Sequence, residues 1–171
     1  MNFAPKTKKL LAIGTAGLVI VAAAFVALLV VLIRQAPPHI PTITAFADGE
    51  TVEVEPYLYC PVDAPLCESQ GVSSLVPVSE GHPLQLSLPT EITSAPWIVA
   101  AVYAGDDIVE VDTLYPPDEK LALTVPPIDA DGRELLGVEI RLPSGIIDVD
   151  TQQEEIISHA IWSIATQEQL G

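Results

Sequence analysis

Residues Trp97–Tyr103, WIVAAVY, decide the fold class. The run is apolar on both faces of an extended chain, the pattern of a strand buried between neighbours, and it predicts a central strand. On either side of it the apolar residues recur with period two. Upstream stand Thr51-Val52-Glu53-Val54-Glu55 and Leu84-Gln85-Leu86-Ser87-Leu88; downstream stand Ile108-Val109-Glu110-Val111-Asp112, Leu121-Ala122-Leu123-Thr124-Val125 and Val138-Glu139-Ile140-Arg141-Leu142. Such alternation marks strands that are half buried. With one more strand near Thr42–Phe46 and a last one near Ala160–Thr166, the count is seven to nine.

Turn signals separate these runs at short intervals: Asp48-Gly49, Gly105-Asp106-Asp107, Pro116-Pro117-Asp118, Asp131-Gly132 and Ser144-Gly145. Pro89, Pro96, Pro126, Pro127 and Pro143 fall where strands should end, so their missing amide donors do no harm. Residues 42–171 are long enough for one hydrophobic core and too short for two. The expectation is a mainly β chain whose outer domain is an immunoglobulin-like β-sandwich with Trp97 and Trp162 as core aromatics. The one segment with a helical reading is Thr151–Ser158, TQQEEIIS.

Further toward the N-terminus, Leu10–Ile33 runs for 24 positions without a charge, an amide or a proline. A helix of that length rises about 36 Å, enough for a hydrocarbon core of about 30 Å, so residues 10–33 read as a single transmembrane helix in the lipid bilayer. A cleaved secretory signal would want small residues before the cut. Arg34-Gln35-Ala36-Pro37-Pro38 instead puts a bulky cation three residues before a bond that proline follows, and this exit reads as uncleaved. No cysteine follows the apolar run, which excludes a lipoprotein-type anchor. Lys6, Lys8 and Lys9 precede the span and only Arg34 follows it, which places residues 1–9 in the cytoplasm and everything beyond residue 34 outside. Residues 34–41 include QAPPHIP, three prolines in seven positions, and form a short stiff stalk.

Charge is divided along the same line. Four of the seven Lys and Arg flank the span, leaving Lys120, Arg133 and Arg141 against 23 carboxylates, a net −20 for the outer segment. A domain this acidic has no electrostatic footprint for nucleic acid and is repelled by anionic head groups. It attracts cations and basic partners. Cys60 and Cys67, with six residues between them, are the chain's only cysteines. In an oxidising compartment, without CxxC spacing or neighbouring ligands, they read as a disulfide staple. His39, His82 and His159 are scattered.

The YC…C loop before an alternating strand, the SAPWIVAAVY run at Ser94–Tyr103 and a C-terminal strand carrying Trp162 together resemble an actinobacterial, membrane-anchored cell-envelope family of unknown function. The resemblance covers Pro41–Thr166. It implies an actinobacterial origin and an envelope location, and it carries over no catalytic residue. Members held by a lipobox cysteine exist in such families, and this chain departs from that pattern.

No constellation in the sequence assembles an active site or a cofactor site. Asp129, Asp131 and Glu134, in Asp129-Ala130-Asp131-Gly132-Arg133-Glu134, could offer oxygens to calcium, but strand residues Val138 and Glu139 intervene before an EF-hand loop could finish. An acidic turn is the simpler reading. There is no GxSxG elbow and no phosphate-cradling glycine loop; Ser73, Ser74, His82 and His159 have no spacing that recommends a nucleophile or a base. Paired carboxylates are uninformative in so acidic a chain. Ala12, Ala16, Ala23 and Ala27 share one helix face, a weak small-residue stripe in an alanine-rich anchor. Two function classes follow. One is a non-enzymatic, membrane-tethered interaction or accessory domain whose partner is another envelope or membrane protein with a basic patch. The other is an envelope enzyme, hydrolytic or metal-dependent, whose residues meet only in the fold. A deep pocket with convergent polar groups separates them.

Overall fold

The computed structural model describes residues 5–35, 39–62, 67, 71–147 and 154–167. The chain divides into two units, residues 1–39 and 40–171. The first contains one helix, α1 (Pro5–Gln35), whose portion Gly14–Gln35 has a mean hydropathy of 3.1 and is long and apolar enough to cross a membrane. Such a helix suggests a membrane anchor or a signal sequence.

The second unit contains, among the described residues, ten strands and one helical turn. In chain order these are β1 (Ile43–Ala47), β2 (Glu50–Val54), β3 (Leu58–Tyr59), β4 (Ser74–Leu75), β5 (Leu84–Ser87), α2 (Thr90–Thr93), β6 (Trp97–Ala104), β7 (Ile108–Tyr115), β8 (Ala122–Val125), β9 (Glu134–Ile147) and β10 (Glu154–Ala165). One sheet has the order β2-β1-β5-β8 and the other β3-β10-β9-β6-β7, antiparallel apart from β4, which pairs parallel with β10. The chain crosses between sheets from β2 to β3, β4 to β5, β5 to β6, β7 to β8 and β8 to β9. That wiring matches the A-B-E and G-F-C-C′ strands of an immunoglobulin-like sandwich, with β6 in the place of strand C. WIVAAVY is thus an interior strand, flanked by β7 and β9.

The period-two patterns orient their strands as expected. In β1 the residues alternate buried and exposed, and Leu84 and Leu86 of β5 and Val138, Ile140 and Leu142 of β9 point inward. Trp97 and Trp162 are both fully buried. Trp97 stacks on Tyr115 at 4.5 Å between centroids, and Trp162 meets Tyr59 edge-on at 6.2 Å. The Asp48-Gly49 turn joins β1 to β2 with φ of 49° and 83°, both left-handed, as a two-residue hairpin of the twist-matching kind requires.

Four sequence expectations need correction. Ser144-Gly145 does not turn, and Pro143 does not end a strand: β9 runs on to Ile147, pairing Pro143 with Ser158 and Gly145 with Ile156. The register shifts between Ser158 and Ala160, so the proline sits beside a bulge, where a ladder hydrogen bond is not demanded of it. Of TQQEEIIS, residues 154–158 are strand, not helix, and 151–153 lie outside the described residues. Pairing of Ile156 and Ile157 with β9 outweighs the weak helical preference of the Glu and Gln residues before them. Strand β7 alternates in sequence but is largely exposed on both faces, because it is the last strand of its sheet and little of the other sheet lies over it. Finally, the strand count exceeds nine because β3 and β4, two residues each, flank the cysteine loop.

Candidate functional site

The acidic turn is closed by the protein's own cation. One Asp129 carboxylate oxygen accepts the backbone N–H groups of Asp131 and Arg133, each at 2.9 Å, and the other accepts Arg133 Nε at 2.6 Å. Arg133 also donates through Nη2 to Asp131, at 2.6 Å. Asp129 is an Asx-type turn residue and Arg133 lies across both aspartates. Glu134 is exposed and receives a long 3.4 Å bond from Gln167. Among the described residues no group of three or more His, Cys, Asp or Glu is placed to hold a metal ion.

Burial pushes the Asp129 carboxyl up, but the two N–H groups and the Arg133 guanidinium outweigh it and hold the carboxyl below its usual range. A depressed carboxyl stabilises the fold above its unfolded pKa of about 3.9, and that contribution is lost as pH falls through the folded value. Acidification also relieves the domain's negative self-repulsion, so the wild type alone cannot isolate the turn. The comparison that does is with Asp129→Asn, which keeps an acceptor oxygen. From pH 7 to pH 3 the wild type should lose more unfolding free energy than the variant, measured by urea titration. Parallel losses would show that the turn contributes nothing.

A second polar group joins Asp48, Ser79 and His82. Asp48 accepts from the Ser79 hydroxyl through one oxygen and pairs with His82 Nδ1 at 2.9 Å through the other. The carboxylate lies between serine and imidazole, so the imidazole does not contact the hydroxyl it would have to deprotonate. His82 is largely exposed. His159 stands at the β10 bulge rather than before the final strand; burial lowers its pKa, against a hydrogen bond with the Leu142 carbonyl, and its Nδ1 is buried without a partner. Ser73 Oγ bonds Ser163 Oγ at 2.8 Å.

Arg141, on the outer face of β9, reaches across β6 to the edge strand. Its guanidinium donates at 2.8 Å to Glu139 and at 2.8 Å to Glu110, with Asp112 at 3.9 Å. It ties β7 to the sheet interior. Burial lowers the Arg141 pKa, and the hydrogen bonds to Glu139 and Glu110 more than offset this, so the group stays charged. Both arginines of the outer unit are therefore satisfied internally, and its carboxylates are left as the dominant surface charge.

Lys120 is placed differently. Its Nζ lies 4.9 Å from the centroid of the Tyr115 ring, at a solvent-open cleft of about 550 Å³. The cleft lies where β7 and β8, edge strands of the two sheets, leave the sandwich open; among the described residues no strand lies next to β8 in the D position of an immunoglobulin sandwich. Val99, Ala101 and Tyr103 of β6 form its back, Val111, Thr113 and Tyr115 one wall, and Leu123 and Val125 the other. Tyr103 closes one end, its hydroxyl donating to the Pro126 carbonyl at 3.2 Å. None of the described lining residues is Asp, Glu, His or Cys. Nothing in the sequence pointed to this cleft, since it arises from strand order.

Cys60 and Cys67 form a disulfide, with Cα atoms 5.7 Å apart, in the segment between β3 and β4.

A family model described as a protein of unknown function (DUF2771) matches residues 36–167. Uncharacterised proteins of Mycobacterium tuberculosis (strain ATCC 25618 / H37Rv) and of Mycobacterium bovis (strain ATCC BAA-935 / AF2122/97) are each 37% identical to the chain over 134 residues, covering 78% of it and 82% of the relative. No solved structure matches.

Proposed function

The chain belongs to this family of unknown function, with uncharacterised mycobacterial relatives, and we propose that it works as a membrane-tethered, non-enzymatic interaction domain on the outer side of the cell membrane. In this reading residues 1–9 lie in the cytoplasm, 10–33 span the bilayer, 34–41 are a stalk and 42–171 are the outer domain. Lys6, Lys8 and Lys9 before the span support that orientation, and so does the disulfide, which persists in oxidising compartments.

One observation carries the non-enzymatic reading: among the described residues the 550 Å³ cleft is lined without a carboxylate, an imidazole or a thiol, Glu80 and Glu134 meet only at a hollow of about 110 Å³ whose described lining has no imidazole, thiol, hydroxyl or cation, and Asp129, Asp131, Asp48, Glu110 and Glu139 are engaged with neighbouring side chains. General acid–base and nucleophilic chemistry need such groups converging on one space. The stalk keeps the domain within about 20 Å of the bilayer, so its partners are neighbours in or on the same membrane. With both arginines satisfied internally, the exposed carboxylates suit a protein with a basic patch.

The test is copurification of the full chain in mild detergent. A partner should be retained near 0.01 M salt, where the Debye length is about 30 Å, and depleted at 1 M, where it is about 3 Å. A protein that is monodisperse without a partner at low salt, and that turns over an envelope substrate until one polar residue is mutated, is instead the enzyme of the rival reading.

A further inference from the structure

The outer segment carries 23 carboxylates among roughly 137 residues, about one in six, so a cleft with 17 lining residues should by composition hold two or three. It holds none. Among the described residues its one formal charge is Lys120, the cation of the outer unit that pairs with no described carboxylate. Locally, therefore, the cleft has the opposite sign to the domain around it. The volume, about 550 Å³, is in the range of small-ligand sites. Apolar surface is left open at its rim, with Val111 45% exposed and Leu123 half-buried, while Thr113 places a hydroxyl beside it.

We propose that this cleft between β7 and β8 binds a single-chain amphiphile with an anionic head, a fatty carboxylate, the chain lying against Ala101, Val111 and Leu123 and the carboxylate meeting Lys120. Long-range repulsion from the net −20 slows the approach of an anion but is screened beyond about 8 Å at physiological salt, whereas the Lys120 contact is made at close range. An open groove along an edge strand accommodates a linear chain better than a compact ring system. The cleft of one copy suffices, and no protein partner is required.

Trp97, stacked on Tyr115 directly behind the wall, is the built-in reporter. The experiment is titration of the full chain in bilayer discs with 12-bromododecanoate, whose bromine quenches indole fluorescence on contact, beside empty discs to correct for partition into lipid. The expected result is saturable quenching. Lys120→Ala should weaken the affinity by about 3- to 5-fold, the effect of losing one exposed ion pair, and Lys120→Glu by about tenfold or more. Val111→Asp, a change on an exposed edge position, should abolish saturation without unfolding the domain. The bromoalkyl trimethylammonium should not saturate. Absence of saturable quenching, equal affinity for the ammonium, or indifference to both Lys120 variants overturns the proposal. So does association of discs in pairs through the domain without quenching, which would assign the cleft to a second copy of this chain.

Discussion

Trp162→Ala is expected to destabilise the outer unit by about 4 kcal/mol, the range for truncating a fully buried tryptophan. Trp162 is fully buried on β10, a strand flanked by β3 and β9. Its loss opens a cavity, and it also breaks the bond from Nε1–H to the Pro41 carbonyl at 2.9 Å. Pro41 is itself buried, so its oxygen would be left without that donor at a further cost of about 1–3 kcal/mol unless water reaches it. This bond fastens the entry of the sandwich to its last strand, 121 residues later. Urea unfolding of the full chain in bilayer discs, followed by Trp97 fluorescence, measures the change. A loss below about 1 kcal/mol would show that Trp162 is not a core residue.

Removing the disulfide should cost about 2.5 kcal/mol, the chain-entropy value for so short a loop. The bond is placed to do more than shorten a loop. Cys60 is buried and its N–H donates to the His159 carbonyl at 2.8 Å, while Tyr59 of β3 pairs with Ala160 of β10. On the other side of the loop β4 pairs with the same strand at Ile164 and Ala165. The staple thus gathers two short pairings that two-residue strands could not sustain alone. Cys60→Ser with Cys67→Ser should lower the urea midpoint accordingly and expose the β3 amides to hydrogen exchange before those of β6. Alkylation of unreduced protein taken from cells should label neither cysteine; full labelling of both would show that the bond is absent in vivo.

The fold was largely legible because burial in a sandwich imposes a period of two, and a strand buried on both faces shows as an unbroken apolar run. WIVAAVY met that test, and so did the alternating segments of β2, β5, β8 and β9. Where pairing rather than burial sets the structure, the pattern fails. Pro143, Ser144 and Gly145 have turn chemistry, yet a bulge at His159 lets β9 pass through them. Glu154 and Glu155 lean toward helix in isolation, and cross-strand pairing overrides them. β7 has the alternation of a half-buried strand, but its position at the sheet edge leaves it exposed.

The polar sites divide in the same way. The acidic turn was recognisable from Asp129, Asp131 and Gly132, and Arg133, four residues after Asp129, was already the neighbour that engages both carboxylates. The Asp48 group was not recognisable, since Ser79 lies 31 residues away along the chain. The β7–β8 cleft depends on which strands end each sheet, and no local pattern encodes that.

In the proposed topology a β-sandwich is held outside the membrane by a helix that stays attached to it. Protease digestion of intact spheroplasts, with the products read by mass spectrometry, tests this most directly. The domain should be digested without lysis, and undigested protein should carry residues 5–35 and the sandwich on one chain. A domain that resists protease until the membrane is opened, or protein whose chain begins near Pro37, would contradict it.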